Sequence, residues 1–418
     1  MTRPQDGGMT PTLAWAALSR NALARAEAQL TADAQGVRDE VGVLALHKAY
    51  ADRFFPGTSV QHTRLRYALF VPWTFGKLLK DKNIHRGQAS QAMAGAELKL
   101  AQRLVLGGEE GVIGKQTVRM TPPRPPSIPP STSYWSALAT WGILQRHPTA
   151  PTPSRAEVYR LWERWAERHQ RRHLPTDDEN RLIHRPHALF HPDLPAPPAD
   201  FHTKGALSFT MTEPERVFMR DRLSALRRSD QALSFLARLV RAGAPTDVLP
   251  WSDSLIAIAD RTDRAALERA RDAAALSAVA RAFYLACVET MKDELDHNSQ
   301  DTTHREALPE IVHIHRHNAS RLNLKDLPKD GVILAQGLED ALKGLQQWLK
   351  SEMNPMDEDV RRLLSRWELA RKGATRARLP RSGHARQARA SWVHSGRAEP
   401  ISYRWGSVRQ LLIDLRGD

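Results

Sequence analysis

The chain has a single cysteine in 418 residues, Cys287. No intrachain disulfide framework and no thiolate zinc site can therefore form, which fits a reducing compartment. Cys287 sits in the apolar run 283–288 and is expected to be a core residue, not a nucleophile. No stretch approaches the roughly 20 apolar residues of a membrane span. The first ten residues, MTRPQDGGMT, lack the apolar centre of a secretion signal. A soluble, cytoplasmic protein without a membrane partner is expected. No Gly-x-Ser-x-Gly elbow occurs. Residues 107–115 have only the outline of a phosphate loop: Glu109 stands where its first glycine belongs, and Gln116 where it has Ser or Thr. Strand–helix alternation is also missing, which argues against a dinucleotide or P-loop core. No cofactor is expected.

One region lacks acidic residues altogether. Residues 371–397 contain none, yet carry Arg371, Lys372, Arg376, Arg378, Arg381, Arg386, Arg389 and Arg397. The net charge of +14 is concentrated at the two ends. Residues 1–150 carry 18 basic and 10 acidic side chains, residues 361–418 carry 14 and 4, and the stretch between carries 29 and 33. A compositional bias of the genome would act on all three alike, so the asymmetry favours a functional origin. Arginine forks match phosphate oxygens. The expected partner is DNA or RNA, gripped through its backbone with low sequence specificity. Trp392, beside Arg389, suits either stacking on a base or pinning the basic segment to the body.

The length implies two or three domains. The expected divisions are 1–150, an N-terminal helical domain; 151–370, a middle helical domain; and 371–418, a basic tail ending in a short ordered segment. The fold class is mainly α: multi-helical, two to three subdomains, with a few short strands. Apolar periodicity predicts helices over 19–35, 88–106, 155–173, 264–293, 303–316, 329–349 and 357–372, and one or two over 216–241. The alternation in 207–211 predicts a strand.

The chain is organised around residues 54–75, FFPGTSVQHTRLRYALFVPWTF. Pro56-Gly57 marks a turn, and Thr58 and Ser59 can cap a helix. Arg64 and Arg66 lie in the basic, aromatic run that follows and join the candidate phosphate contacts. Pro72 should stop regular structure or set an edge. Trp73 should enter a core.

The most enzyme-like feature is His313-Ile-His315-Arg-His317. On a strand the three histidines would share one side and could hold a metal; on a helix His315 points away from the other two. No fixed metal-ligand spacing accompanies them. A metal-dependent nuclease or other phosphodiester hydrolase using this region is thus an alternative, and an adaptor that binds only protein is another.

Three stretches, read together, resemble a known family. They are 54–59 (FFPGTS) with 63–73 (TRLRYALFVPW); 110–114 (EGVIG) followed by Tyr134-Trp-x-x-Leu-x-x-Trp-Gly-Ile143; and the ending Tyr403-Arg-Trp-x-x-Val-Arg-x-Leu-Leu412. As a set they resemble a family of bacterial proteins known only as a domain of unknown function, and the resemblance spans nearly the whole chain. It carries no established activity and no catalytic residue. It implies an anti-phage defence neighbourhood, with helicases and phospholipase-D-like nucleases as possible partner proteins. Two departures are the proline-rich 125–130, which lengthens the bridge from Gly114 to Tyr134 within the second stretch, and the long basic tail. The resulting expectation is a non-enzymatic nucleic-acid-binding or scaffolding component of a multi-protein defence system.

Overall fold

Helix is favoured where a long segment lacks interior Gly and Pro, as 261–294 does, and where a capping side chain begins it, as Asp260, Ser234, Asp357 and Ser382 do. The computed structural model describes residues 39–145, 152–171, 188–297, 302–351, 357–392 and 396–417. The helix expected over 19–35 lies outside them. Among the described residues, the helices of eight residues or more are α1 (Leu44–Phe54), α2 (Tyr67–Lys80), α3 (Arg86–Leu106), α4 (Trp162–Arg171), α5 (Glu213–Ser224), α6 (Phe235–Ala242), α7 (Arg261–Glu294), α8 (Thr303–Arg321), α9 (Gln336–Lys350), α10 (Glu358–Lys372), α11 (Gly383–Ala390) and α12 (Trp405–Arg416).

Two helices serve as axes. In the N-terminal half it is α2, with α3 and α4 packed against it. In the C-terminal half it is α7, which starts at Asp260, whose carboxylate accepts from the Asp263 amide at 2.8 Å. Its alanines let α8 lie close along it, and α9, α10, α11 and α1 cover the other sides. Cys287 is fully buried there, and burial pushes its thiol up. By length and composition α7 could cross a membrane, but 94% of its apolar window is buried inside the protein. One apolar cluster runs from Val41 to Leu415 and takes in all three expected segments.

Pro72 does not end a helix; it lies inside α2. A proline there removes one backbone bond and costs about 3 kcal/mol. Tyr67, Leu69, Phe70, Val71, Trp73 and Phe75 are all buried, at about 1.5–3 kcal/mol for each large side chain, which outweighs that cost.

The 207–211 segment keeps its alternation, with Leu207, Phe209 and Met211 buried, but forms no strand. Its backbone is satisfied by other partners: the Leu207 amide donates to the Arg103 carbonyl and Arg66 donates to the Ser208 carbonyl. Among the described residues, β pairing is limited to two isolated bridges, Leu144 with Phe190 and Arg227 with Leu233.

Arg66 also forms a two-pronged ion pair with Glu215, at 2.9 and 2.8 Å, with both side chains almost fully buried. It ties α5 to the start of α2. Arg66→Ala would strand the Glu215 carboxylate and should cost about 3–5 kcal/mol in urea unfolding. Arg66→Met with Glu215→Met should recover much of that loss. A double variant as unstable as the single would show the pair to be net stabilising in its own right.

Candidate functional site

The turn at Pro56-Gly57 is fixed by an aromatic side chain 85 positions away. The Trp141 indole N–H donates to the Pro56 carbonyl at 3.1 Å. Gly57 has φ +79°, and a Cβ there would sit 2.6 Å from the indole nitrogen, so only glycine fits. Downstream, the Tyr134 hydroxyl accepts from the amides of Thr63 and Arg64 and donates to the Arg64 carbonyl at 2.7 Å.

His62 lies beneath this loop, stacked on Tyr134 with ring centroids 4.2 Å apart. The Ser59 amide donates to its Nδ1, so the ring proton is on Nε2, which donates to the Ser133 carbonyl at 3.0 Å. Burial, opposed by that carbonyl and aided by Arg404, lowers its pKa to about 4. With both nitrogens engaged, His62 is a wall of the site and not a proton carrier.

Arg404 closes the site from the C-terminal end. Its Nη1 donates to Asp52 at 2.6 Å and to the Thr58 carbonyl at 2.8 Å. Between Arg404, the 56–62 loop and the short helix Trp135–Thr140 lies a polar cavity of about 440 Å³. All three stretches of the family resemblance reach it. Arg404 lies in the third resembling stretch, but neither it nor the cavity is among the candidate site residues read from sequence. Nothing in the local pattern of Tyr403-Arg404-Trp405 signals a contact with residues 350 positions earlier.

The basic candidates divide into two sets. Arg64 donates to Asp414 at 2.9 Å, and Arg66 is held by Glu215. Arg371 pairs with Asp39 at 3.1 Å and Lys372 with Glu368 at 2.8 Å. Arg389 is buried in a two-pronged pair with Asp296, at 2.6 and 2.8 Å, and also donates to the carbonyls of Arg378 and Pro380. Its hydrogen bond, the largest influence, keeps the Asp296 carboxyl below the usual range. Arg378 is half-buried, and its amide donates to Glu368. These six hold the fold together. Arg376, Arg381 and Arg386 are exposed.

The segment is not a loose tail. Ala377, Leu379 and Ala385 are buried, α11 forms within it, and Trp392 is buried beside Lys292 and His304. Trp392 therefore pins the segment to the body. An Arg-rich composition conceals that the short apolar residues between the arginines pack inward.

His313, His315 and His317 lie on α8. His313 and His317 are exposed one turn apart, and His315 is half-buried on another face, its pKa lowered by burial. The strand that would align all three is not formed. Among the described residues no three His, Cys, Asp or Glu side chains gather in a way that could hold a metal ion.

Arg389→Ala should cost about 3–5 kcal/mol in urea unfolding, because it leaves Asp296 buried and unpaired. Arg386→Ala should change stability by no more than about 0.5 kcal/mol. Equal effects would refute the division into structural and exposed arginines.

Acid should weaken the fold through the histidines. His47 is also buried and lowered to about 4, by burial, Arg404 and Lys48. Each of the two histidines stays neutral in the fold and takes up a proton on unfolding below pH 6.5. Their contribution is complete above 6.5 and is lost as pH falls towards 4. Glu97, raised by burial to about 7, opposes this, since its contribution is lost as pH rises from 4.5 to 7. Asp263 and Asp414, also raised by burial, oppose it too, while the carboxyls of Asp296, Glu368 and Glu358, held low, act in the same direction as the histidines. The urea midpoint should fall on acidification from pH 6.5, and His62→Gln should flatten the dependence; a rising midpoint would contradict both.

Compared with known proteins, residues 10–153 match a family described as of unknown function, DUF6361. The match includes the first two of the three resembling stretches and leaves out the ending at 403–412. No curated protein and no solved structure matches the chain.

Proposed function

We propose that the protein is a non-enzymatic nucleic-acid-binding or scaffolding component of a bacterial multi-protein defence system, working in the cytoplasm beside helicase or nuclease partners. It grips DNA or RNA by the phosphate backbone through Arg362, Arg366, Arg376, Arg381 and Arg386. One observation carries this: residues 360–392 hold ten basic side chains against one acidic, Glu368, and five of the ten remain exposed after the fold has taken its share. Arg361, Arg371, Lys372, Arg378 and Arg389 are turned to intramolecular contacts. Of the exposed five, Arg362 lies 3.4 Å from the Asp359 carboxylate and Arg376 Nε donates to the Lys372 carbonyl; these are surface contacts that a phosphate can displace. Two of them, Arg362 and Arg381, share a neighbourhood: the Glu358 carboxyl is lowered first by its hydrogen bond to Arg361, and then also by the charges of Arg381 and Arg362. The segment is anchored at Glu368 and Asp296, so its arginines are held on a rigid support and lose less conformational entropy on binding.

Each phosphate neutralised on duplex DNA contributes about −0.9 to the slope of log affinity against log salt. Changing the five exposed arginines to alanine should flatten that slope by roughly three to five units and weaken unrelated sequences about equally, with circular dichroism unchanged. Titration of duplex and single strand at several salt concentrations tests it. Salt-insensitive binding by the unaltered protein, or one slope for both proteins, would leave the protein-only adaptor as the better account.

A further inference from the structure

We infer that the cavity between the 56–62 loop, the helix Trp135–Thr140 and Arg404 binds a neutral molecule of sugar or nucleoside size through a vicinal diol. This goes beyond nucleic-acid contact and does not depend on it.

The size fits: about 440 Å³ falls within the roughly 300–1,000 Å³ of small-molecule sites. The lining carries unmet hydrogen-bond donors. Arg404 Nε and Gln61 Nε2 are both buried without a partner, and both residues line the cavity. Buried donors left unpaired are costly, and both are closed off from solvent, so a ligand oxygen meets them once the two side chains turn into the cavity. Ser136 and Thr140, one turn apart on the same face of their helix, add hydroxyls that can donate or accept.

Charge selects the ligand class. The Arg404 guanidinium is already balanced by Asp52 at 2.6 Å, and the His62 ring beside it is committed to Ser59 and Ser133. A phosphate or carboxylate would meet no net positive charge and would face the Asp52 carboxylate. That carboxylate is 64% exposed and suits a hydroxyl, as carboxylates do when they hold a ribose diol. A diol supplies both the donors that Asp52 accepts and the acceptors that Arg404 and Gln61 lack.

The backbone is also held in an uncommon conformation there. Tyr403 and Arg404 are consecutive non-glycine residues with φ of 51° and 65°. Such left-handed residues are strained and persist where surrounding contacts impose them. The Tyr403 hydroxyl donates to the Ala270 carbonyl at 2.6 Å, and Arg404 is held as described. These contacts fix Arg404 at the edge of the cavity.

Calorimetry and ligand-observed NMR on the full chain, with D-ribose, adenosine, 2′,3′-dideoxyadenosine and inorganic phosphate as probes, test this. Ribose or adenosine should bind once per chain; a preference between them tells a sugar from a nucleoside site. Dideoxyadenosine should bind at least about tenfold more weakly, as should adenosine or ribose to Gln61→Met and to Ser136→Ala/Thr140→Val. Both variants should keep the unaltered far-UV spectrum and urea midpoint. No binding of either diol, equal binding of the dideoxy compound, displacement by phosphate, or full affinity in both variants would overturn the assignment. The salt-slope experiment on the arginine face can fail without affecting any of these outcomes.

Discussion

The buried carboxylate of Asp414 is the constraint on which the organising loop depends. From α12 it accepts from the Leu65 amide at 2.6 Å and from Arg64 Nε at 2.9 Å, joining segments 350 positions apart. Burial raises its pKa against those bonds, so the group is costly unless the 63–66 backbone is present to meet it. The loop is equally dependent, since its amides there have only Asp414 and Tyr134 as described partners. Once α12 is seated, Trp405 packs on Phe55 with ring centroids 5.9 Å apart, and Arg404 reaches Asp52 and Thr58. The polar cavity is a consequence of that closure.

A second constraint sorts the arginines. The interior of the C-terminal half contains a few buried acids, and each must be neutralised by a fixed partner. Asp296 takes Arg389, and Asp330 takes Arg269 together with the Tyr50 hydroxyl. Glu368 takes Lys372, the Tyr284 hydroxyl and the amides of Arg378 and Leu379. Burial alone would raise the Glu368 carboxyl; Lys372, Tyr284 and the amide bonds together hold it below its ordinary value. What remains outside is a set of arginines on a backbone that cannot drift, because Glu368 holds residues 378 and 379 directly. Structural and exposed arginines thus alternate along one stretch of chain.

Helical character was readable in the sequence because it depends on near neighbours. The Ala-rich run without Gly or Pro became α7, Thr212 to Glu215 became a capping box, and Gly107 closed α3. The importance of residues 54–75 was readable too, from a turn signal beside a dense apolar run. Pro72 and residues 207–211 departed from expectation for one reason. Local propensity is worth a few kcal/mol at most, and burial of α2 on one hand, and side-chain bonds from Arg66 on the other, exceeded it.

The sequence by itself determined that the protein is basic, mainly helical and without an intrachain disulfide. It could not determine which arginine faces solvent, because Arg386 and Arg389 are three residues apart in similar sequence and differ only in that Asp296 lies beside Arg389. Nor could it bring Arg404 to Asp52 or Trp141 to Gly57. Ion pairs and cavities are made by groups far apart in the chain, and helical periodicity carries no information about which distant helix will supply the partner. Only the packing of α12 and the 130–141 region onto the 54–66 loop decided that.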